Sequence, residues 1–156
     1  MEGFSNHRFG SVSMVTSSLG PNDPKVGDRT RSGDEDYLFV YNAGNSQIST
    51  GFGATVSAVT GYSVTVSTTT SVDVIIGVCR HATLTTGTYG WLATKGFLTV
   101  KMGANNSAAA GDNLTIGTDG AFASVQSGIA NYGQRLGKTM GAIASGATGD
   151  AFVNVL

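Results

Sequence analysis

The feature that most limits what this chain can become is its punctuation: from Tyr37 onward, short runs of β-branched and aromatic residues stop again and again at glycine, asparagine, aspartate or serine. Such a text leaves little room for an amphipathic helix. It reads as an all-β domain, an antiparallel β-sandwich or β-barrel whose strands are joined by tight turns. Tyr37-Leu38-Phe39-Val40-Tyr41 is apolar on both alternating faces, as a central strand is, and ends at Asn42-Ala43-Gly44-Asn45. Tyr62, Val64 and Val66 alternate with Ser63, Thr65 and Ser67, the mark of a half-exposed strand. In the next run Val72, Val74, Ile76 and Val78 fall on one face, with Asp73, Ile75, Gly77 and Cys79 on the other. Phe97 to Met102 and Asn113 to Ile116 follow. The latter runs through Gly117-Thr118-Asp119-Gly120 into Ala121-Phe122-Ala123, and Asp-Gly between such runs predicts a hairpin, because both central positions of a type I′ turn take positive φ.

Glycine fills 23 of 156 positions and is spread evenly, so it marks turns and bulges rather than a linker. A glycine-rich β domain carries a high ordering cost, which burial against a partner offsets. Only 12% of residues are charged, about half the usual share, and Ser, Thr, Asn and Gly cover the surface in their place. Small polar side chains are cheaper to bury than Lys or Glu, so this surface suits contact with other proteins and predicts an oligomer. Nine basic against ten acidic residues leave a net charge of −1, which provides no field for a phosphate backbone and argues against nucleic acid. Cys79 stands alone, which excludes an intrachain disulfide and a multi-cysteine metal site and reads as a small buried hydrophobe. The first residues lack the basic start and apolar run of a signal peptide, and no stretch approaches the ~20 apolar residues of a membrane span. The expectation is a soluble, unprocessed chain.

Two regions are expected. Residues 1–33 hold both prolines and no sustained periodicity, and read as an N-terminal arm; residues 34–156 form the β domain. Two readings of the arm stay open. It is a frayed terminus, or it orders on a neighbouring subunit through Phe4, His7, Arg8, Phe9, Val12 and Met14, with Val15 beside them. A faint self-similarity also runs through the β domain: Ile76-Gly77, Ala82, Gly87, Gly90 and Trp91-Leu92 echo Leu136-Gly137, Ala142, Gly146, Gly149 and Phe152-Val153. Chance among so many glycines competes here with two equivalent strand-turn-strand hairpins closing a sandwich or barrel.

No catalytic constellation stands out. His7 and His81 are the only histidines, so any triad must use one of them. His7 lies in the arm, and an arm gives a base no rigid support. Cys79 and His81, two apart, would share a strand face, but nothing else marks them as a nucleophile and its base. Asp34-Glu35-Asp36 lacks the alternating ligands and fixed glycine of a calcium loop and reads as a solvated turn. No phosphate-binding glycine loop opens a helix. The expectation is a non-enzymatic protein with no cofactor and no metal.

The order of features from about residue 36 resembles the small head decoration, or cement, proteins of tailed bacteriophages. The likeness rests on the Asn-Ala-Gly turn at 42–44, Ile48-Ser49-Thr50-Gly51, Gly77-Val78-Cys79, Gly90-Trp91-Leu92 and Gly96-Phe97-Leu98-Thr99-Val100. It continues through Ala109-Ala110-Gly111-Asp112-Asn113-Leu114, the Asp119-Gly120 hairpin, and the closing Leu136-Gly137 and Gly149-Asp150-Ala151-Phe152-Val153-Asn154-Val155-Leu156. The resemblance implies a homotrimeric β subunit on the outside of a virion, bound to the major capsid protein and assembled in the host cytoplasm. It brings no catalytic residue. The sequence departs from the simplest such proteins in its leader and in the Thr/Ser-rich stretch from Val56 to Thr70. The runner-up is a carbohydrate-binding or adhesive domain of a virion fibre, in which Tyr62, Tyr89 and Trp91 would stack on sugar rings.

Overall fold

The computed structural model of the protein describes residues 11–56, 62–66, 74–125 and 135–155. Among them, eleven strands join into one sheet: β1 (Val15–Thr16), β2 (Arg29–Ser32), β3 (Glu35–Asn42), β4 (Gly53–Val56), β5 (Ser63–Val66), β6 (Ile75–Cys79), β7 (Tyr89–Lys101), β8 (Asn113–Ile116), β9 (Phe122–Ser124), β10 (Gly137–Thr139) and β11 (Thr148–Asn154). The all-β expectation holds, and the sheet rolls up twice. The first half of β7 pairs with β3 and β6, β6 pairs with β4, and β4 with β5. A parallel contact, Tyr41↔Ser63 and Asn42↔Val64, returns β5 to β3 and closes a five-stranded barrel. The second half of β7 pairs with β11, then β10, β8 and β9 follow, and a parallel bridge from Met102 to Phe122 closes a second barrel. Within each barrel the ladders are antiparallel except at that closing contact.

The two barrels are copies of one plan. The β3–β7 pairs Leu38↔Leu92, Val40↔Gly90 and Tyr41↔Tyr89 have as counterparts the β7–β11 pairs Leu98↔Ala151, Val100↔Gly149 and Lys101↔Thr148. Likewise Ala54↔Gly77 answers to Leu114↔Gly137, and Cys79↔Leu92 to Thr139↔Ala151. The turns repeat too: the bridge Ile48↔Leu84 is matched by Ala108↔Ile143, and Gly51 N–H donates to Cys79 O (2.7 Å) as Gly111 N–H donates to Thr139 O (3.0 Å). Gly51 and Gly111 have φ of 86° and 81°, where a side chain is strained. The sequence echo is therefore two whole barrels rather than two hairpins. Its last leg is corrected by register: Leu92 corresponds to Ala151, and Ala93 to Phe152.

Each barrel has its own interior. Leu38, Val40, Ile48, Ala54, Val64, Ile76, Cys79, Leu84 and Leu92 fill the first. Leu98, Val100, Met102, Leu114, Ile116, Phe122, Leu136, Ile143, Ala151 and Val153 fill the second, and that cluster spreads over the outside of the first barrel through Tyr37, Phe39, Val78, Trp91 and Ala93. The route runs through β7. There Asp36 pairs with Lys95 but Tyr37 with Ala93, so Thr94 is an extra residue. Fully burying each large apolar side chain stabilises by about 1.5–3 kcal/mol. A second bulge overturns one expectation: Ala54 pairs with Gly77 and Thr55 with Ile75, so Ile76 points into the first core while Ile75 and Val78 join the other. Ile76 and Val78 do not share a face. Val72 and Asp73 lie outside the described residues.

Candidate functional site

Residues 11–32 lie against the first barrel. Val15 and Thr16 pair antiparallel with Gly90 and Tyr89, and Val12, Met14 and Val26 are half-buried against the apolar cluster. Gly90 makes this approach possible, because a Cβ there would meet Leu84 Cδ1 at 2.8 Å and Met14 O at 3.2 Å. Arg29–Ser32 form a hairpin with Glu35–Asn42 around Gly33, φ 60°. Phe4, His7, Arg8 and Phe9 lie outside the described residues. Of the aromatic residues that could stack on sugars, Trp91 is buried, with Phe39 edge-on at 4.9 Å. Tyr89 packs on Tyr41 at 4.7 Å, and Tyr62 alone is open at 41% exposure. They form no shared platform.

Where the β2–β3 hairpin meets the β7 bulge, the chain builds a polar cluster. Tyr37 O–H donates to the Glu35 carboxylate, Arg80 Nε lies 3.4 Å from Glu35 Oε1, and His81 Nε2 sits 2.7 Å from the Tyr37 oxygen. The phenol has one proton and gives it to Glu35, so His81 donates from Nε2 and its ring stacks on Tyr37 at 5.7 Å. Burial, then the bond and charge of Glu35, push the phenol well above its ordinary range, with Arg80 partly opposing. Tyr37 stays neutral and holds the imidazole in place. Cys79 turns inward, its S–H donating to Ala82 O at 2.9 Å, and burial raises the thiol to about 11. The Cys79–His81 pair is thus split between the inside and outside of the barrel. No group of three His, Cys, Asp or Glu side chains that could hold a metal occurs among the described residues.

Beside the cluster opens a pocket of about 400 Å³ lined by Arg29, Thr30, Arg31, Asp36, Tyr37, Thr94 and Lys95. Arg31 pairs with Asp36 at 3.4 Å, and Glu35 is taken by Arg80. Arg29 and Lys95 leave the pocket with an excess of positive charge. The Asp34-Glu35-Asp36 run is therefore divided between two arginines, a division that sequence spacing gave no means to see. Arg29, Lys95 and Arg80 were missed because they come from three separate strands or loops.

No protein-family model matches the chain, and neither does any curated protein. Among solved structures it is similar to the head fiber gp8.5 N base of bacteriophage phi29, at 12% identity and a TM-score of 0.53, over 76% of this chain and 92% of that one. At that identity the likeness is one of fold: this chain shares the all-β architecture of a phage fibre base.

Proposed function

We propose that the protein is a structural component of a phage virion that sits on the outer surface of the head, binds major capsid protein subunits and stabilises the shell. The observation that carries this reading is the shared architecture with a phage head fiber base, over nearly the whole of that base. The sparsely charged sequence agrees with it. A protein that binds the assembled shell and not its free subunits adds its binding free energy to particle stability, and repeated copies multiply the effect. The cationic pocket at Arg29 and Lys95 offers a fixed contact for acidic side chains of the shell.

The test is sedimentation of the purified protein with mature, undecorated heads. Saturable co-sedimentation supports the reading, and protein left in the supernatant at every ratio sinks it. An Arg29→Glu, Lys95→Glu variant then reads the pocket, with binding expected to weaken about tenfold and its salt dependence to flatten. The fibre reading, in which the domain holds a glycan, is favoured instead by saturable binding on a glycan array.

A further inference from the structure

The duplicated plan makes the outside of one barrel a template for the other. On the first barrel Tyr37 is 1% exposed: it belongs to the cluster that spreads from the second core, and the imidazole of His81 stacks on its ring. Register places Phe97 at the position of Tyr37 and Phe152 at that of Ala93. The loop after β10 is Met140-Gly141-Ala142 where the first barrel has Arg80-His81-Ala82-Thr83, so glycine stands in the place of the covering ring. A Cβ on Gly141 would find nothing within 4 Å. Phe97 lies outside both core clusters and is 55% exposed, edge-on to Phe152 at 5.2 Å, and Met140 in that loop is 57% exposed. The neighbouring outward positions along the two strands are polar, Thr99 donating to Asp150 at 3.1 Å, so the exposed aromatic pair is flanked by polar side chains.

We propose that this spot is a socket for an aromatic side chain from the N-terminal ten residues of a second copy of the chain, Phe4 or Phe9 taking the place that His81 takes on the first barrel. The vacancy calls for a planar ring on an extended segment, and Met1–Gly10 carries two phenylalanines within ten residues. That segment starts from Ser11, beside the strand that docks on Tyr89 and Gly90 of the first barrel, and fully extended it spans about 33 Å, enough to leave its own barrel. Each copy then donates a leader and receives one. The inference concerns contacts between copies and is independent of whether the assembly binds a capsid.

The experiment is sedimentation velocity of the full chain across concentration, beside full-length Phe97→Ser, Phe4→Ser/Phe9→Ser and Gly141→His. Phe97 is half open to water and Gly141 opens to space, so neither change disturbs the core. The expected result is a concentration-dependent oligomer whose dissociation constant rises about thirtyfold in the Phe97 variant and in the double leader variant. Gly141→His, by supplying the missing lid within the chain, should weaken association while leaving Phe97 present. A Phe97→Cys chain mixed with a Phe9→Cys chain should give a mixed covalent dimer under mild oxidation, the inward-facing Cys79 taking no part. A monomer at all concentrations overturns the proposal, as does an oligomer indifferent to Phe97. Sensitivity to Phe97 with indifference to Phe4 and Phe9 overturns the assigned occupant.

Discussion

The two barrels share register, turn glycines and closing contacts, yet their outward faces are chemically opposite. Where the first has Phe39, Tyr41, Val78, Tyr89 and Trp91, the second has Thr99, Lys101, Lys138, Thr148 and Asp150. The first face is apolar and lies under residues 12–16 of the leader and part of the second core; the second bonds with itself and meets water. A backbone plan is thus held by its interior and its turns, and the outward residues are free to decide what each copy touches.

That comparison can be broken most decisively at one pair of positions. Trp91→Ala should cost about 3–5 kcal/mol, since it opens a cavity beneath the leader. Asp150→Ala, its counterpart, should cost less than about 0.5 kcal/mol. Chemical denaturation of the two variants gives the answer, and equal losses would mean that the faces are not distinct. Next in size is Gly137→Ala. Its Cβ would meet Phe152 O at 2.0 Å, so a loss near about 3 kcal/mol is expected. The counterpart Gly77→Ala meets Leu92 Cβ at 2.6 Å and should cost somewhat less.

Titration should separate the barrels by pH. Cys79, in the first, has its thiol raised from 9.0 to about 11 by burial, while Thr139 holds the same place in the second. A raised folded-state value means that the contribution is complete below pH 9 and is lost as pH climbs toward 11, about 3 kcal/mol in all. Tyr37, shifted the same way in the same barrel, adds to the alkaline loss. Melting temperatures of the protein and of Cys79→Ser from pH 8 upward test this; parallel curves would refute it. The smallest effect belongs to the second barrel. Ala109 N–H and then the Ser124 hydroxyl hold the Asp112 carboxyl below its usual 3.8, and Phe52 stands at the matching position of the first barrel. Its contribution is present above that value and fades as pH falls through the lowered one, so Asp112→Asn should flatten the acid limb of the melting profile slightly.

Much of this was legible in the sequence, for local reasons. Tyr37–Tyr41 is apolar on both sides because Leu38 and Val40 face one core while Tyr37 and Phe39 face the other. Asp119 and Gly120 do adopt positive φ, 57° and 77°, in the turn between β8 and β9. The glycine echo was real because Gly90 and Gly149 each admit a side chain, Leu84 or Ile143, that no Cβ would leave room for. What stayed hidden was non-local. The bulges at Ile76 and Thr94 reverse alternation without any residue that announces them, so Ile76 and Val78 were placed on one face. The polar cluster draws Glu35 and Tyr37 to Arg80 and His81 across some 45 positions, a meeting decided by barrel closure and not by spacing.

The long strand β7 belongs to both barrels, its first half closing one and its second half opening the next. No linker separates the copies, so neither can swivel, and tension applied to one is carried along thirteen residues of shared backbone into the other. The chain therefore behaves as a stiff beam with two lobes, in which displacement at the leader end must register at the Phe97 end rather than dissipate in a hinge.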